Sequence, residues 1–410
     1  MTELTLSAGG EQPAGKRLDD ASWKAFGTGV LGSIVGYTCS FAIVLQGLRS
    51  AGATEAQAIS GLVALSIGMG ISGIVLAFRF RMPVSVAWST PGAALLIASG
   101  DTLGSVNEAI GTYLFSAVLL MIAGWVRPLG RLIEAIPASL ANAMLAGVLL
   151  PICLAPVHAL AYDAWLAMPL LLTWWLVGRV NRFFAVPAAL LVLLPLVAWR
   201  LGLPDDLITQ LRASLIPHVE FIRPVFDPQA LISIGIPLFV VTMASQNVPG
   251  VAILRAHGYK PKAGPLILNT GFFSLLSAPF GALGINLAAL TAAMLCSEDA
   301  HENPERRYWA AVFAGISYLG WGMITGVMGL FIVLVPAVLV EAIAGLALLG
   351  SFSAALAAAL ADTRQREASA ITFLFAGSGL AFMGVGGAFW GLLVGALMYL
   401  LVDYQKGRKA

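Results

Sequence analysis

Most of the chain consists of long apolar stretches separated by short polar ones, and this pattern predicts transmembrane helices. A helix that crosses a bilayer needs about 20 mostly apolar residues. The predicted segments are 25–48, 57–78, 83–100, 105–126, 134–157, 161–178, 183–201, 229–254, 262–277, 279–297, 307–330, 335–361, 368–384 and 386–403. We therefore expect an all-α polytopic membrane protein with about 14 transmembrane segments. Segments 3 and 10 are unusually short in helix.

The composition agrees with a membrane protein. Hydrophobic residues make up 59% of the 410 residues and charged residues 11%, whereas soluble domains carry about 25% charge. A soluble fold could not bury this much apolar surface, so lipid must cover it. Basic residues form no cluster, and nucleic acid is not a predicted partner. The four histidines map to loops or segment edges and the three cysteines lie far apart, so we predict neither a metal site nor a cofactor.

The basic residues also predict an orientation. If the N-terminus is cytoplasmic, only four of the 23 basic residues fall on the outer side: Arg49, Arg200, Arg212 and Arg223. Cytoplasmic loops are generally rich in Lys and Arg. We therefore expect both termini in the cytoplasm and the long polar connection at 202–228 in the periplasm.

The two halves of the chain resemble each other. Three pairs of short stretches match in the same order: 48–54 with 254–260, 90–95 with 285–290, and 136–150 with 335–349. The members of each pair lie seven segments apart. Because seven is odd, the second half must be inverted relative to the first, as in many secondary transporters. The prediction is two inverted repeats of seven segments.

The two short segments are predicted to be broken inside the membrane. In segment 3 a β-prone stretch precedes Thr90, a good helix cap, and Pro91, which suits the first turn of a helix. In segment 10 a glycine-rich stretch precedes Asn286, which can cap the helix that follows. Each segment is thus expected to be a short extended stretch followed by a half-helix. The alternative for segment 3 is a helix that is merely kinked.

Two facing half-helix N-termini would form an anion site. The first N–H groups of a helix lack partners within it, and this end carries a partial positive charge. Lys and Arg occur in the predicted segments only at their ends, as Arg200, Lys262 and Arg307. The backbone would then supply the positive end of the site.

Other polar and aromatic side chains in the segments are candidate ligands. Gln246 and Asn247 either bind substrate or satisfy backbone groups freed by Pro249. Tyr37 and Phe41 either stack on an aromatic ligand or pack between helices.

Glu341 is the candidate for proton coupling. It lies a few residues into segment 12, opposite Asn142 in the repeat. Carboxylates inside a membrane are costly and are usually functional. Glu341 is either a proton carrier or a buried hydrogen-bond anchor, and the sequence leaves both open.

Three motifs resemble the benzoate:proton symporter family: VSVAWSTPGAALL at 84–96, ASQNVPG at 244–250 and GALGINLAALTAA at 281–293. The resemblance covers residues 25–403. This family is similar in organisation to the uracil-permease type of fold, with seven plus seven inverted segments. The resemblance implies a multi-pass protein of the bacterial inner membrane that alternates between outward and inward access.

The resemblance also implies a division into a core domain and a gate domain, with the ligand between the half-helices and the gate. The expected parts are a cytoplasmic tail at 1–24, core at 25–126, gate at 127–204, a periplasmic connection at 205–228, core at 229–334 and gate at 335–404. The implied site residues are Ser89, Thr90, Gln246, Asn247 and Asn286. Uracil-permease relatives have acidic residues in helices eight and ten. In this chain the corresponding residues are Gln246 and Asn286. Neutral amides fit an anionic ligand, which a carboxylate would repel, and they leave the identity of the proton carrier open.

The leading hypothesis is therefore a transporter, not an enzyme, that imports benzoate or a similar aromatic carboxylate by proton symport. One alternative is transport of another small organic anion or a nucleobase. An anion channel should show charged pore rings, and a membrane-embedded enzyme should show a nucleophile with a base or metal ligands; the sequence has neither. The oligomeric state stays open, with a homodimer as one option.

Overall fold

The structure is a computed structural model, and it describes residues 22–38, 40–99, 103–126, 137–181, 184–202, 204, 206–216, 218–288, 290–333, 335–379, 381–382 and 385–407. Eight helices among these residues are long and apolar enough to cross a membrane. Shorter helices account for the other predicted segments, so the described residues contain a helix in each of the fourteen. Residues 1–21 of the predicted cytoplasmic tail lie outside the described residues.

The first half contains α1 (Trp23–Thr38), α2 (Phe41–Ser50), α3 (Glu55–Phe80), β1 (Val86–Trp88), α4 (Thr90–Ser99), α5 (Val106–Trp125), α6 (Ala138–Tyr162), α7 (Ala164–Val180) and α8 (Ala185–Leu201). A short helix, α9 (Leu207–Ser214), lies in the connection between the halves. The second half contains α10 (Pro228–Ala256), α11 (Ala263–Ser277), β2 (Ile285–Leu287), α12 (Leu290–Cys296), α13 (Tyr308–Val333), α14 (Ala337–Leu360), α15 (Arg366–Gly377), β3 (Ala381–Phe382), β4 (Val385–Gly386) and α16 (Gly387–Gly407).

The first segment is interrupted, although the sequence predicts a single helix over 25–48. Ser40 has φ −132° and ψ 0°, which is not helical, and α2 begins at the next residue. The Ser40 hydroxyl accepts a hydrogen bond from the Trp88 indole N–H at 2.7 Å. The interruption therefore forms a contact with β1. The apolar pattern of a single segment could not predict such a contact.

The starts of α3 and α5 follow local capping rules. Thr54 and Gln57 form a capping box at the start of α3, in which each side chain accepts a hydrogen bond from the other residue's N–H. Ser105 accepts a hydrogen bond from the Glu108 N–H at the start of α5. Such caps satisfy N–H groups that have no partner within the helix.

The two extended stretches pair with each other. β1 and β2 are antiparallel, with Val86 opposite Leu287 and Ala87 opposite Asn286. One further hydrogen bond extends the pair, from the Ser89 N–H to the Gly284 carbonyl at 3.1 Å. The pairing satisfies backbone groups that lipid could not satisfy. The predicted extended stretches before both half-helices are confirmed.

The strand register also gives the register of the repeat. Ala87 and Asn286 lie opposite each other at the centre of the pair, a separation of 199 positions (286 less 87). The match of 136–150 with 335–349 has the same separation. The match of 90–95 with 285–290 is four positions short of it, so this predicted alignment was wrong. Stretches rich in Ala and Leu match by chance about one helical turn (3.6 residues) away.

The helices pack in two groups. In one, α3 packs on α11 and α13, α5 packs on α11, and α1 packs on α13. In the other, α6 packs on α14 and α15, α7 packs on α8, and α15 packs on α16. The helices α2, α4 and α10 lie in the same parts of the chain as the first group, and they also contact the second group. α2 contacts α14, and both α4 and α10 contact α6. The two broken segments therefore lie beside the boundary between the groups.

Candidate binding site

Ser89 caps the half-helix α4, although the sequence predicts Thr90 as the cap. The Ser89 hydroxyl accepts a hydrogen bond from the Gly92 N–H at 3.1 Å, and the Ser89 carbonyl accepts one from the Ala93 N–H at 2.9 Å. Both bonds are typical of a residue that caps a helix N-terminus. The prediction was wrong by one residue because serine and threonine are both favourable caps, so their preferences do not separate them.

Fewer N–H groups are free at the half-helices than the sequence predicts. In α4, the Gly92 and Ala93 N–H groups already donate to Ser89. Pro91 has no N–H, so the first turn offers the Thr90 N–H, which donates to no described residue. The second half-helix, α12, is only seven residues long. Helix ends alone therefore give little positive charge to this region.

The predicted capping role of Asn286 is wrong. Asn286 lies at the centre of β2, and α12 begins at Leu290. Pairing with β1 holds Asn286 opposite Ala87, and the flanking N–H groups of Ile285 and Leu287 donate to the side chains of Ser274 and Asn247, so that the backbone of β2 is satisfied inside the membrane. That gain outweighs the preference of asparagine for a cap, because an unpaired backbone group in lipid costs several kcal/mol.

α10 contacts both broken segments within about one turn. The Thr242 hydroxyl lies 2.8 Å from the Ser89 hydroxyl, and the Asn247 side-chain oxygen accepts a hydrogen bond from the Leu287 N–H at 3.0 Å. The backbone between them, Met243–Asn247, is a π-helical turn, a feature common at functional sites. Three predicted ligand residues are chain neighbours of these contacting residues. Thr90 follows Ser89, Gln246 precedes Asn247, and Asn286 precedes Leu287.

Asn247 acts on the backbone of β2 and not on groups freed by Pro249. It is completely buried, and its side-chain N–H₂ lies 3.5 Å from the Met243 sulfur. The predicted backbone role concerned groups freed by Pro249, whereas the N–H that Asn247 satisfies belongs to Leu287 in another segment. Substrate binding by Asn247 stays a prediction.

Three predicted ligand residues have hydrogen-bonding atoms with no partner among the described residues. The Thr90 hydroxyl and the Gln246 amide make no such bond, and both residues are half-buried. Asn286 is completely buried; its N–H₂ donates to the Leu287 carbonyl at 3.0 Å, and its Oδ1 has no partner. Buried polar atoms in proteins are nearly always bonded. The unsatisfied Oδ1 therefore needs an explanation.

The face of the strand pair that carries Asn286 adjoins accessible space. Residues directly opposite in antiparallel strands share a face, so Asn286 and Ala87 lie on the same side. Ala87 is the one residue of β1 and β2 that is not fully buried. A ligand that reaches Ala87 would thus lie beside Asn286.

Tyr37 and Phe41 lie in a buried aromatic cluster. The Tyr37 ring stacks on the Phe41 ring at 5.4 Å between centroids and lies 4.7 Å from the Trp88 ring. Its hydroxyl is 2.6 Å from the Thr325 hydroxyl, and neither aromatic residue is more than 1% exposed. The structure thus shows packing, one of the two predicted roles. Contact with an aromatic substrate stays a prediction.

Glu341 joins the two groups of helices. It is half-buried in α14 and accepts a hydrogen bond from the Gln46 side chain of α2 at 3.3 Å. Gln46 was not identified from the sequence, although an amide in an apolar segment was a usable signal. Thr242 was also not identified from the sequence. Neither candidate role of Glu341, proton carrier or anchor, is decided by this contact.

Two glycines allow the close approach of the broken segments. A Cβ atom on Gly47 of α2 would lie 2.8 Å from the Ala93 carbonyl oxygen, and one on Gly250 of α10 would lie 2.8 Å from the Leu287 side chain. Real Cβ atoms do not come this close. The first helix segment of each repeat therefore packs against the broken segment of its own repeat through a glycine.

The loop after α12 is held by Arg307, whose side chain is almost buried. Its guanidinium donates to the Cys296 carbonyl at 2.6 Å and to the His301 carbonyl at 2.7 Å. A cation at this end also complements the helix dipole. In the same loop, Glu302 is exposed. A hydrogen bond from the Lys24 ammonium, 2.8 Å away, together with its charge, lowers the pKa of Glu302.

Comparison with known proteins identifies relatives over almost the whole chain. A family model described as "Benzoate membrane transport protein" matches residues 19–401. The "Inner membrane protein YdcO" of Escherichia coli is 39% identical over 92% of this chain and 95% of its own length. The "Benzoate membrane transport protein" of Acinetobacter baylyi is 33% identical over 93% of this chain and 96% of its own length.

Solved structures share the fold at low sequence identity. The transmembrane domain of a cyanobacterial bicarbonate transporter, BicA, aligns with a TM-score of 0.57 at 13% identity, over 93% of this chain and 97% of that one. SLC26A9 aligns with a TM-score of 0.62 at 13% identity, over 92% of this chain and 65% of that one. These are membrane transporters with two inverted repeats of seven segments. The family model and the relatives that match almost the whole chain show that it belongs to the benzoate membrane transport protein family.

Proposed function

We propose that the protein imports benzoate, or a similar small aromatic carboxylate, by symport with protons. Family membership supports a small carboxylate as the substrate. The observation that carries the proposal is the convergence of Thr90, Gln246 and Asn286 beside two helix breaks, each with hydrogen-bonding atoms that no described residue uses. Breaks inside a membrane are tolerated where they line a cavity or are buried in protein.

The proposed ligand position places the carboxyl group of the substrate at the start of α4. There the Thr90 N–H and hydroxyl and the Gln246 side-chain N–H₂ are available donors. Neutral hydrogen bonds contribute about 0.5–1.5 kcal/mol each. A few such bonds hold a ligand reversibly, as a carrier requires. Ser89 and Asn247 act indirectly, because their side chains bond to protein groups.

Transport is proposed to occur by movement between the two groups of helices. The proposed core comprises residues 25–126 and 229–334, and the proposed gate comprises 127–204 and 335–404. The hydrogen bond from Gln46 to Glu341 crosses this boundary. In such a mechanism the contact breaks and reforms in each cycle, which suits one weak bond better than a close ion pair.

Proton coupling follows from the charge of the substrate. An inside-negative potential opposes the entry of a monovalent anion by about 2.3 kcal/mol per 100 mV. At least one proton must enter with each carboxylate to remove this penalty. In proteoliposomes, we expect uptake of radiolabelled benzoate to rise as the external pH falls and to collapse when a protonophore is added. Uptake that is indifferent to both treatments would exclude symport.

Counterflow separates a carrier from a channel or an enzyme. Vesicles preloaded with unlabelled benzoate should accumulate labelled benzoate transiently above the outside concentration. A channel would only equilibrate the label. Within the same assay, Glu341→Gln keeps the size of the side chain and removes its proton. Full pH-driven accumulation by this variant would assign Glu341 to the anchor role.

The proposed orientation places both termini in the cytoplasm and residues 205–228 in the periplasm. Asp206 precedes α9 in this connection and is exposed. A cysteine introduced by Asp206→Cys should react in intact cells with a membrane-impermeant maleimide, in a background in which the native cysteines are replaced. Reaction only in inverted vesicles would reverse the proposed orientation.

A further inference from the structure

The segments that form the proposed site contain no acidic, basic or histidine side chain. This holds for residues 83–99, 228–254 and 285–296. The elements packed around them, and the last turn of α10, carry such residues only near helix ends: Lys24, Arg49, Glu55, Arg79, Glu108, His158, Arg255, Glu341, Asp403 and Lys406. A carboxylate at the start of α4 would therefore have no cationic partner within these segments.

An unpaired carboxylate is unstable in such a place. Burying an isolated ion costs so much that the group usually takes up a proton instead. Burial raises the pKa of carboxyl groups, which is about 4 in water, by up to about 3–5 units. One free N–H group at the start of α4 compensates for little of this cost. These energetics favour a protonated ligand near neutral pH.

The unsatisfied oxygen of Asn286 requires a donor. Its amide is oriented by the hydrogen bond from its N–H₂ to the Leu287 carbonyl at 3.0 Å. Turning the amide around would place two oxygen atoms against each other. Oδ1 is therefore a fixed, completely buried acceptor on the face that adjoins accessible space at Ala87. A carboxylate has no hydrogen to donate, whereas a carboxylic acid has one O–H.

We infer that the site binds the aromatic substrate as the neutral acid, with the acid O–H donating to Asn286 Oδ1. This inference rests on the proposed function. The other oxygen of the acid accepts hydrogen bonds from Thr90 and Gln246. The carboxylate takes up one proton from the outer solution and returns it on the inner side. One proton thus crosses with each substrate, no net charge moves, and the coupling proton is carried by the ligand.

Uncharged and charged analogues of the same size test the inference on the unmodified protein. Benzamide and benzenesulfonamide are neutral and present an N–H donor, whereas benzenesulfonate is an anion with acceptors only. Displacement of radiolabelled benzoate would be measured at pH 6, 7 and 8 on the purified full-length protein. We expect both amides to compete equally at each pH and benzenesulfonate to fail. The apparent Kd of benzoate should rise about tenfold per pH unit, since one proton is bound with it.

Asn286→Leu tests the acceptor itself, because leucine has nearly the same size and no hydrogen-bonding atom. We expect roughly tenfold weaker binding of both benzoate and benzamide, about 1.4 kcal/mol. Melting temperature and gel filtration would establish that the variant is folded. If it is not folded, the comparison of the analogues still decides, since it needs no variant.

Two outcomes would overturn the inference, and a third would refute the function on which it rests. Competition by benzenesulfonate without competition by benzamide would show that the anion is the bound form. Unchanged binding of both ligands by folded Asn286→Leu would show that Oδ1 is not the acceptor. Failure of the parent protein to bind benzoate at any pH would instead refute the proposed function itself.

Discussion

Asn247→Leu is expected to weaken benzoate binding by at least about tenfold. The Asn247 side-chain oxygen accepts the hydrogen bond from the Leu287 N–H at 3.0 Å, and the residue is completely buried. Removing this acceptor leaves a buried N–H unsatisfied, which costs about 1–3 kcal/mol. The strand β2 should then shift away from α10 and take Asn286 with it. The measurement is benzoate affinity of the purified variant, with its melting temperature.

Asn142→Leu is the matched control. Asn142 lies in α6, is half-buried and donates only to the Ala138 carbonyl of its own helix at 2.7 Å. The same substitution there should leave affinity within about twofold, because surface changes away from special contacts are usually within 0.5 kcal/mol. If both variants bind benzoate like the parent, Asn247 does not position the site.

Arg307→Gln is expected to destabilise the protein by roughly 1–3 kcal/mol, because two carbonyls, one buried and one half-buried, lose their donor, and a buried unsatisfied acceptor costs about that much. These are the Cys296 carbonyl, at the end of α12, and the His301 carbonyl in the loop that follows. The loss should unravel the last turn of the second half-helix. We expect a lower melting temperature and little benzoate uptake in proteoliposomes.

Arg307→Lys and Arg255→Gln are the comparisons for this variant. Lysine keeps the charge and can donate to one or both carbonyls, so it should recover part of the stability. Arg255 is an exposed arginine in the last turn of α10, and its replacement should have little effect. Equal melting temperatures for Arg307→Gln and Arg255→Gln would show that the buried guanidinium does not hold the loop.

The transmembrane segments could be predicted from sequence because the bilayer imposes a strict requirement. Every span must be apolar for about 20 residues, and its backbone must be satisfied internally. Where a segment departs from this pattern, as at Pro91 or at Gly281 and Gly284, the departure is itself a signal. This is why both extended stretches were predicted, although their pairing partners were not named.

The caps and the register could not be predicted, because short-range preferences are nearly equal at neighbouring positions. Ser89 and Thr90 are both good caps, and the backbone bond from Ser89 to Gly284 accompanies the choice of Ser89. Asn286 would cap a helix in isolation, yet it lies in a strand because β1 is beside it. Likewise, the match of 90–95 with 285–290 was misleading until the strand register corrected it.

The sequence by itself determined the membrane environment, the fourteen segments, the inverted repeat and the neighbourhood of the two breaks. Each depends on local composition or on order along the chain, because lipid requires spans whose backbone polar groups are satisfied within the protein. Only the tertiary structure decided which atoms are used and which are free. Ser89 and Asn247 bond to protein, Tyr37 packs among aromatic rings, and Asn286 keeps an unsatisfied oxygen. The hydrogen-bond partners of Ser89 and Asn247 lie in other segments, 153 and 40 residues away along the chain, and no local pattern specifies them.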